Sequence, residues 1–510
     1  MSCQNKMNRT QKFTLNAITA AISQVVVMIV GLITPRLMIL VYGSEINGLV
    51  SSLNQFISYI TLVEAGIGGA AIFSLYKPLA DDDYSTISRI VSAAKKSYRH
   101  AGYIFSSGIF ALSLIYGILG STETLSFELI FPLALLLGMN GSIDFFLMAG
   151  YRVLLTADQK NYIISSVGIL QTILRTVIII SLAYLRSNVV LLYALALIPV
   201  FLKAIFLLIY CKKEYKYIDE RAEPDYQSLN KRWDVIYQQI LGTIQTGAPT
   251  VIATILLNFK LVSVYSVYNM VLSGINGILS VFISGLPAGF GELIAKKEND
   301  NLRKSVSEFE VAYYYILSIV YGITFVMIMP FITIYTNGLT DVNYYYPTLA
   351  FVIVINGLLY NIKTPQSMLI ISAGMYKETR WRVTIQGILL IVSSVLLGNL
   401  YGLVGIMLGS CISNAYRTVD LLYFTPKYIT HTNPWKAVFR MIRVFMNVAL
   451  IFAPSLFVEI KTANYFEWVL YAVGFGIYSL IVVTITTFIF DKKDLKALAR
   501  RIKKMILKGG

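Results

Sequence analysis

Long apolar segments recur along the whole chain, and no other feature of the sequence limits the fold as strongly. A helix of roughly 20 to 30 residues crosses the hydrocarbon core of a bilayer with some tilt. With 56% hydrophobic and 14% charged residues, against about a quarter charged in soluble domains, the chain is predicted to be an all-α integral membrane protein. The fourteen predicted spans are 13–41, 46–76, 98–119, 127–155, 162–184, 189–211, 236–258, 262–293, 309–335, 345–373, 382–400, 402–426, 436–458 and 465–490.

The basic residues are concentrated in alternate connections. Alternate loops and the two termini hold 35 Lys and Arg residues, whereas the opposite loops hold Arg186, Lys260 and Lys461. This asymmetry follows the positive-inside rule, and with an even number of spans it predicts that both termini are cytoplasmic. The net charge of +16 therefore needs no nucleic-acid partner to explain it.

The two halves of the chain repeat one another. Six spans in each half is an even number, so both halves have the same orientation, which predicts two parallel lobes with a cavity between them. A nearly constant offset across several regions is hard to obtain by chance. At offsets of 214 to 216 residues, Pro35 matches Pro249, Asn54 matches Asn269, Asn140 matches Asn356, and the apolar stripe Ile87, Val91 and Ala94 matches Leu302, Val306 and Phe309.

The repeat predicts five parts. They are an N-terminal lobe (1–211), a charged cytoplasmic linker (212–235), a C-terminal lobe (236–426), two helices outside the repeat (427–490) and a basic tail (491–510). The tail places Leu495, Leu498, Ile502 and Met505 or Ile506 on one face. A helix lying on anionic phospholipids has this pattern, and an ordinary basic stop after the last span explains the charges equally well.

Eight charged residues fall inside the predicted spans. A charge at the centre of a span costs about 2.5 to 3.5 kcal/mol on insertion scales, so these groups must face one another, water or a ligand. Because cations outnumber acids and come from both halves, the sequence predicts an anionic substrate held between the lobes. The cations are Arg36, Arg175, Lys203, Lys363 and Arg417, and the acids are Glu64, Asp144 and Asp420.

Some of these charges have a simpler explanation. Arg417 and Asp420 are three residues apart and can pair along one helix. Arg36 lies close enough to the outer loop to reach the interface, although the kink expected at Pro35 can also turn it inward. For these residues the sequence leaves pairing and ligand binding open.

The remaining charges are expected nearer the middle of the bilayer. Arg175, Lys203 and Lys363 have no acidic residue three or four positions away, which favours a cavity role. Glu64 and Asp144 either pair with such cations or bind the Na⁺ or H⁺ that couples ion flow to transport. No metal site is predicted, since the three cysteines are scattered along the chain.

The stretch YGSEINGLVSSLNQFISYITLVEAGIG, residues 42–68, resembles the first loop and second helix of bacterial polysaccharide flippases. These are the O-antigen and capsule type within the multidrug/oligosaccharidyl-lipid/polysaccharide exporter superfamily. The predicted layout agrees over essentially the whole chain. The resemblance implies that an undecaprenyl-pyrophosphate-linked oligosaccharide moves from the inner to the outer face of the bacterial cytoplasmic membrane by alternating access. A polysaccharide polymerase and glycosyltransferases would then be partners.

Two other functions compete with this interpretation. A drug/cation antiporter of the same superfamily would share the layout, but its cavity should be net acidic. A membrane-embedded polymerase or ligase would need a sizeable outer loop with catalytic residues, whereas the predicted outer loops are short and His100 and His431 are predicted at the cytoplasmic side. We therefore expect no enzyme and no cofactor. The G-x-x-x-x-G-K-[ST] motif is missing, so we expect the membrane potential, Na⁺ or H⁺ to drive transport.

Overall fold

The computed structural model describes residues 9–122, 124–219, 221–229, 233–283, 285–458, 460–495 and 500. These residues form helices joined by short connections, and no strand occurs among them. The helices are α1 (Arg9–Tyr42), α2 (Ser44–Ile60), α3 (Ile67–Ala80), α4 (Tyr84–Leu119), α5 (Phe127–Ile143), α6 (Ala149–Ala157), α7 (Asn161–Tyr184), α8 (Val189–Leu195), α9 (Ile198–Glu214), α10 (Trp233–Leu256), α11 (Phe259–Ile283), α12 (Leu286–Ala295), α13 (Asn299–Tyr335), α14 (Pro347–Ile362), α15 (Thr364–Ala373), α16 (Tyr376–Thr425), α17 (Pro434–Phe452) and α18 (Tyr465–Phe490).

The chain is a multi-pass membrane protein. Within the described residues, 11 helical segments are long and apolar enough to cross a bilayer, or 12 if α2 and α3 form one bent span. Each of the fourteen predicted segments falls on one helix or on two consecutive helices. The lower number arises because α10, which is rich in Gln and Thr, is not among these segments, and because predicted spans 382–400 and 402–426 both lie in α16. The number fourteen stays a prediction.

Helix α16 folds back on itself at Gly402. This residue has φ 59° and ψ −136°, a conformation that is essentially restricted to glycine. Two hydrogen bonds join the halves: Ser394 donates to the Ile406 carbonyl at 2.9 Å, and Ser413 donates to the Gln386 carbonyl at 2.8 Å. This pairing makes the halves antiparallel. The turn falls at the boundary between the predicted spans 382–400 and 402–426.

Two compact units divide the chain, Met1–Gly247 and Ala248–Gly510, hereafter the first and second units. The division falls inside α10, beyond the predicted linker 212–235, and the predicted domain limits stay predictions. In the first unit α4 packs against α3, α5 and α6, and α1 lies along α7. In the second unit α13 packs against α17 and α18, and α14 packs against α16.

The apolar stripes identified in the sequence are covered in both units. Ile87, Val91 and Ala94 are buried in the core of the first unit. Leu302 and Val306 are buried in the second unit, where Phe309 packs against the same cluster. Most of the predicted tail, including residues 496–499 and 501–510, lies outside the described residues. Its binding to phospholipids therefore stays a prediction.

Breaks within the predicted spans position polar side chains. Between α2 and α3 a 3₁₀ turn covers Thr61–Glu64, and the two helices differ in direction by 42°. Between α5 and α6 a π-helical turn covers Asp144–Met148. In the second unit Lys363 occupies the junction of α14 and α15. Irregular backbone at membrane depth is tolerated where it is buried in protein or lines a wet cavity, so these breaks direct attention to the charges beside them.

Candidate functional site

Glu64 lies at the break between α2 and α3. It ends the 3₁₀ turn, and Gly66 follows with a left-handed φ of 81°, which ends the first helix and allows α3 to begin at Ile67. A Cβ atom on Gly68 would lie 2.7 Å from the Tyr98 hydroxyl oxygen, so a larger residue here would have to displace that hydroxyl. The small residues after Glu64 thus bend the chain and let α4 come close.

Glu64 and Asp144 share one partner, Arg152. The Arg152 guanidinium lies 3.1 Å from a Glu64 carboxylate oxygen and 2.6 Å from an Asp144 carboxylate oxygen. Two half-buried carboxylates are thereby brought together by one cation from α6. Pairing, one of the two roles left open by the sequence, is present, but the partner is Arg152 and not one of the predicted cavity cations. Ion coupling stays a prediction.

A cavity of about 240 Å³ adjoins this cluster in the first unit. Glu64, Arg152 and Tyr98 line it, together with Gly66 and Gln239. Lys203 on α9 is half-buried and lies within electrostatic range of both Asp144 and Arg152. The first unit therefore places a charged, cavity-lining cluster next to one of the predicted binding cations.

Asp420 is paired twice in the second unit. Arg417 lies 2.5 Å from one of its carboxylate oxygens, and Arg382 contacts the other. Arg417 and Asp420 are both buried, so the pair within the helix that the sequence allows is formed. A ligand-binding role for either residue stays a prediction.

Lys363 is held by neutral groups. It is only 7% exposed and donates a hydrogen bond to the Asn414 side-chain oxygen. Asn414 in turn donates to the Asn356 side-chain oxygen at 2.9 Å, and the Lys363 ammonium lies 5.1 Å from the centre of the Tyr360 ring. These amide and aromatic contacts orient the Lys363 side chain, and no carboxylate is among them.

Arg175 and Arg36 lie on α7 and α1 of the first unit. Both side chains are half-buried, and the buried Nε of Arg175 has no hydrogen-bond partner among the described residues. Tyr193 lies within electrostatic range of Arg175. The structure thus brings Glu64, Asp144 and Lys203 into one neighbourhood, and Lys363, Arg417 and Asp420 into another.

Four arginines were not recognised from the sequence as buried or paired. Arg152, Arg382, Arg440 and Arg443 were counted with the basic loops, although Arg382 begins a predicted span and the other three lie inside predicted spans. Arg440 is 3% exposed and lies 2.7 Å from Glu310 and 2.5 Å from Asp494. Their positions within apolar segments were the available signal. Arg440 ties α13 and α17 to the residues that follow α18.

A second ionic cluster lies at the connection between α6 and α7. Asp158 accepts from Lys12 at 2.9 Å and from Lys160 at 2.8 Å, and Lys160 also contacts Glu214 at 2.8 Å. Burial acts to raise the pKa of the Asp158 carboxyl, but the hydrogen bonds from Lys160 and Lys12 outweigh it, so this pKa lies below its ordinary value. Burial and the neighbouring Asp158 carboxylate raise the pKa of the Tyr215 phenol far above its ordinary range.

Comparison with known proteins reveals similarity of structure without similarity of sequence. No protein-family profile and no curated protein sequence matches the chain. The lipid II flippase MurJ in an inward closed conformation is similar with a TM-score of 0.65 and 15% identity, over 92% of this chain and 99% of that chain. An inward-facing multidrug resistance MATE transporter is similar with a TM-score of 0.62 and 13% identity, over 84% and 99%.

The same architecture recurs in another conformation. An outward-facing MATE transporter is similar with a TM-score of 0.53 and 12% identity, over 83% of this chain and 96% of that chain. The fold of this chain is thus similar to that of these transporters, and the two MATE proteins belong to the MOP superfamily. At these identities the likeness concerns the fold, and the chemistry of transport has to be argued from the residues of this chain.

Proposed function

We propose that this protein is a flippase that moves undecaprenyl-pyrophosphate-linked oligosaccharide units across the bacterial cytoplasmic membrane for the synthesis of a surface polysaccharide. The polyprenyl tail is soluble in hydrocarbon, whereas the sugars and the diphosphate need a polar path. Cationic side chains within the membrane would hold the diphosphate as it crosses. Glycosyltransferases would supply the units, and a polysaccharide polymerase would consume them.

The observation that carries this proposal is an imbalance of pairing among the buried charges. Each of the acids Glu64, Asp144 and Asp420 is paired with one or two arginines. In the described part of the chain, no carboxylate lies within 4.0 Å of the cations Arg175, Lys203 or Lys363. Unneutralised cations are costly in a membrane, so they favour a role in holding an anion.

The alternative is a drug/cation antiporter, which the likeness to MATE transporters favours. Such a protein would need a carboxylate available to a cationic drug. Glu64 and Asp144 share Arg152, and Asp420 contacts both Arg417 and Arg382, so each of these three acids already has an arginine partner. We therefore prefer the anionic substrate.

A reconstitution experiment tests the proposal. Vesicles containing the purified protein are loaded with a fluorescent undecaprenyl-pyrophosphate oligosaccharide, and movement is followed by quenching from outside. We expect the parent protein to move this lipid, and the variant carrying Arg175→Gln, Lys203→Gln and Lys363→Gln to move it at least tenfold more slowly, because each lost cation removes an attraction for the diphosphate.

The matched control removes three exposed cations, by Arg186→Gln, Lys260→Gln and Lys377→Gln, and should move the lipid like the parent. Ethidium transport is measured in the same vesicles. Equal lipid movement by the triple variant and the parent would contradict the role of the cations. Ethidium transport without lipid movement would contradict the flippase and support the antiporter.

A further inference from the structure

A second cavity in the first unit is lined by cations, and the proposed transport path does not use it. Its volume is about 320 Å³. Lys95, Lys96 and Arg99 reach it from α4, and Lys212 reaches it from the end of α9. No acidic residue is among the residues that line it. Four like charges around one opening repel one another, so their convergence favours an anionic ligand.

The cavity is built to hold Lys95 in place. Its ammonium lies 3.9 Å from the centre of the Tyr151 ring, and the Tyr151 side chain is buried. A Cβ atom on Gly150 would collide with the Lys95 side chain, so Lys95 occupies space that is free only because residue 150 is a glycine. The aromatic face attracts the cation and restricts its side chain before a ligand binds, so less freedom is lost on binding.

The side walls are apolar and open to the surroundings. Phe146 and Leu147, from the π-helical turn, line the cavity and are 41% and 36% exposed. The Phe146 ring contacts that of Tyr103 on α4, with 5.3 Å between the ring centres. On a membrane-spanning unit, exposed apolar side chains beside a basic opening offer a surface for acyl chains next to a site for a headgroup. The sequence predicts that this end of α4 and α9 faces the cytoplasm.

We propose that Lys95, Lys96, Arg99 and Lys212 bind the phosphate groups of an anionic lipid in the cytoplasmic leaflet. Basic pockets between membrane helices on the cytoplasmic side recognise such headgroups, and four cations suffice for two phosphates. Two lipids carry this chemistry: a diphosphate phospholipid such as cardiolipin, and the undecaprenyl pyrophosphate carrier. The site is distinct from the tail 491–510 and does not depend on the proposed transport activity.

Lipid binding to the full-length protein, measured by native mass spectrometry in detergent, tests this site. The probes are cardiolipin, undecaprenyl pyrophosphate, zwitterionic phosphatidylcholine and soluble inorganic pyrophosphate. Changing the four cations to Gln should weaken binding of at least one anionic lipid by about tenfold or more. The control, with Lys213, Lys216, Lys297 and Lys377 changed to Gln, removes four exposed charges and should change binding less than about twofold.

The milder variant K96Q/R99Q keeps the site testable if the fourfold variant unfolds, since both side chains are exposed. It should lose about threefold or more in affinity. Dependence of cardiolipin binding on the four cations would assign the site to membrane phospholipid, and dependence of undecaprenyl pyrophosphate binding would assign it to the carrier. Lipid binding that is equal in the fourfold variant and its control, or a dependence confined to soluble pyrophosphate, would overturn the proposal.

Discussion

Arg152 is the residue through which two carboxylates of the first unit are held together. Its guanidinium lies 3.1 Å from Glu64 and 2.6 Å from Asp144, and all three side chains are roughly one-third exposed or less. Removing this cation leaves two negative groups close together without a compensating charge. Repulsion between them, and the loss of two charge-assisted hydrogen bonds, then oppose folding.

The first prediction concerns this triad. Arg152→Gln should lower the free energy of unfolding by about 1 to 3 kcal/mol, a range reduced from that of fully buried pairs because the site is partly hydrated. The triple change Arg152→Gln, Glu64→Gln and Asp144→Asn should recover most of the loss, since no charge is left unpaired. Thermal unfolding in detergent provides the measurement. An unchanged midpoint for Arg152→Gln alone would contradict the pairing.

The second prediction concerns pH and Asp158. Because the pKa of Asp158 is lower in the folded protein than its ordinary value of 3.8, its carboxylate stabilises the fold above that value, and the stabilisation is lost as pH falls through the folded pKa. Asp158→Asn should therefore lower the free energy of unfolding at pH 7 by about 1 to 2 kcal/mol, which is measured as a lower thermal midpoint. The difference from the parent should shrink below about pH 4.

Asp300→Asn serves as the control for this titration, since the Asp300 side chain is 99% exposed. It should change the midpoint much less than Asp158→Asn does at pH 7, because the exposed ion pair between Asp300 and Arg303 contributes little. A difference between Asp158→Asn and the parent that stays constant from pH 7 to pH 3 would contradict the assignment.

The existence of buried charges was predictable at the residue scale, but their partners were not. Glu64 and Arg152 are separated by 88 positions, and only the packing of α6 beside the α2–α3 break brings them together. Spacing along one helix does reveal the Arg417–Asp420 pair, because three residues make nearly one turn. Partners from different helices depend on how those helices pack, which apolar length alone does not specify.

At the scale of elements, the turn within α16 depends on Gly402. The residue has φ 59° and ψ −136°, and nothing lies within 4 Å of the place where a Cβ atom would stand. Any cost of substitution therefore comes from the backbone rather than from a collision. A Cβ atom on Gly409, by contrast, would lie 2.5 Å from the Ser394 Cα, because the two halves pack closely.

The third prediction follows from that backbone conformation. Gly402→Ala should lower the free energy of unfolding by about 1 to 3 kcal/mol. Gly168→Ala is the matched control, because Gly168 lies within α7 and its Cβ would also meet nothing within 4 Å. It should be neutral or raise stability by about 0.5 to 1 kcal/mol. Equal thermal midpoints for the two variants would contradict the role of Gly402.

Helical elements were predictable because apolar length reflects the thickness of the bilayer. Their interruptions were only partly so. The predicted boundary between residues 400 and 402 coincides with the turn at Gly402. The small residues after Glu64 are compatible with either a bend or the close approach of a neighbouring helix. The π-helical turn at Asp144–Met148 had no such signal, since its sequence DFFLM contains neither glycine nor proline.

At the scale of the whole molecule, the charges determine how a membrane potential would act on transport. A diphosphate with about two negative charges gains on the order of 4 to 5 kcal/mol on moving outward across 100 mV, inside negative. The cations Arg175, Lys203 and Lys363 would lower the cost of its passage through hydrocarbon without a nucleotide. Their roles are part of the proposed function.

The fourth prediction is that transport responds to voltage. In vesicles with a potassium diffusion potential set by valinomycin, outward movement of the fluorescent lipid-linked oligosaccharide should be faster at 100 mV inside negative than at zero, and slower when the sign is reversed. Vesicles with nigericin and no electrical gradient provide the control. A rate that is independent of the size and sign of the potential would contradict electrophoretic coupling.

The π-helical turn has a consequence for the numbering of the Asp144–Arg152 pair. Two turns of a regular α-helix take about 7.2 residues, so side chains eight positions apart would point in directions that differ by about 80° around the helix axis. One surplus residue in the turn absorbs this offset and returns both side chains to the same azimuth. A homologous chain shortened by one position between 144 and 148 would therefore keep its ion pair at a spacing of seven.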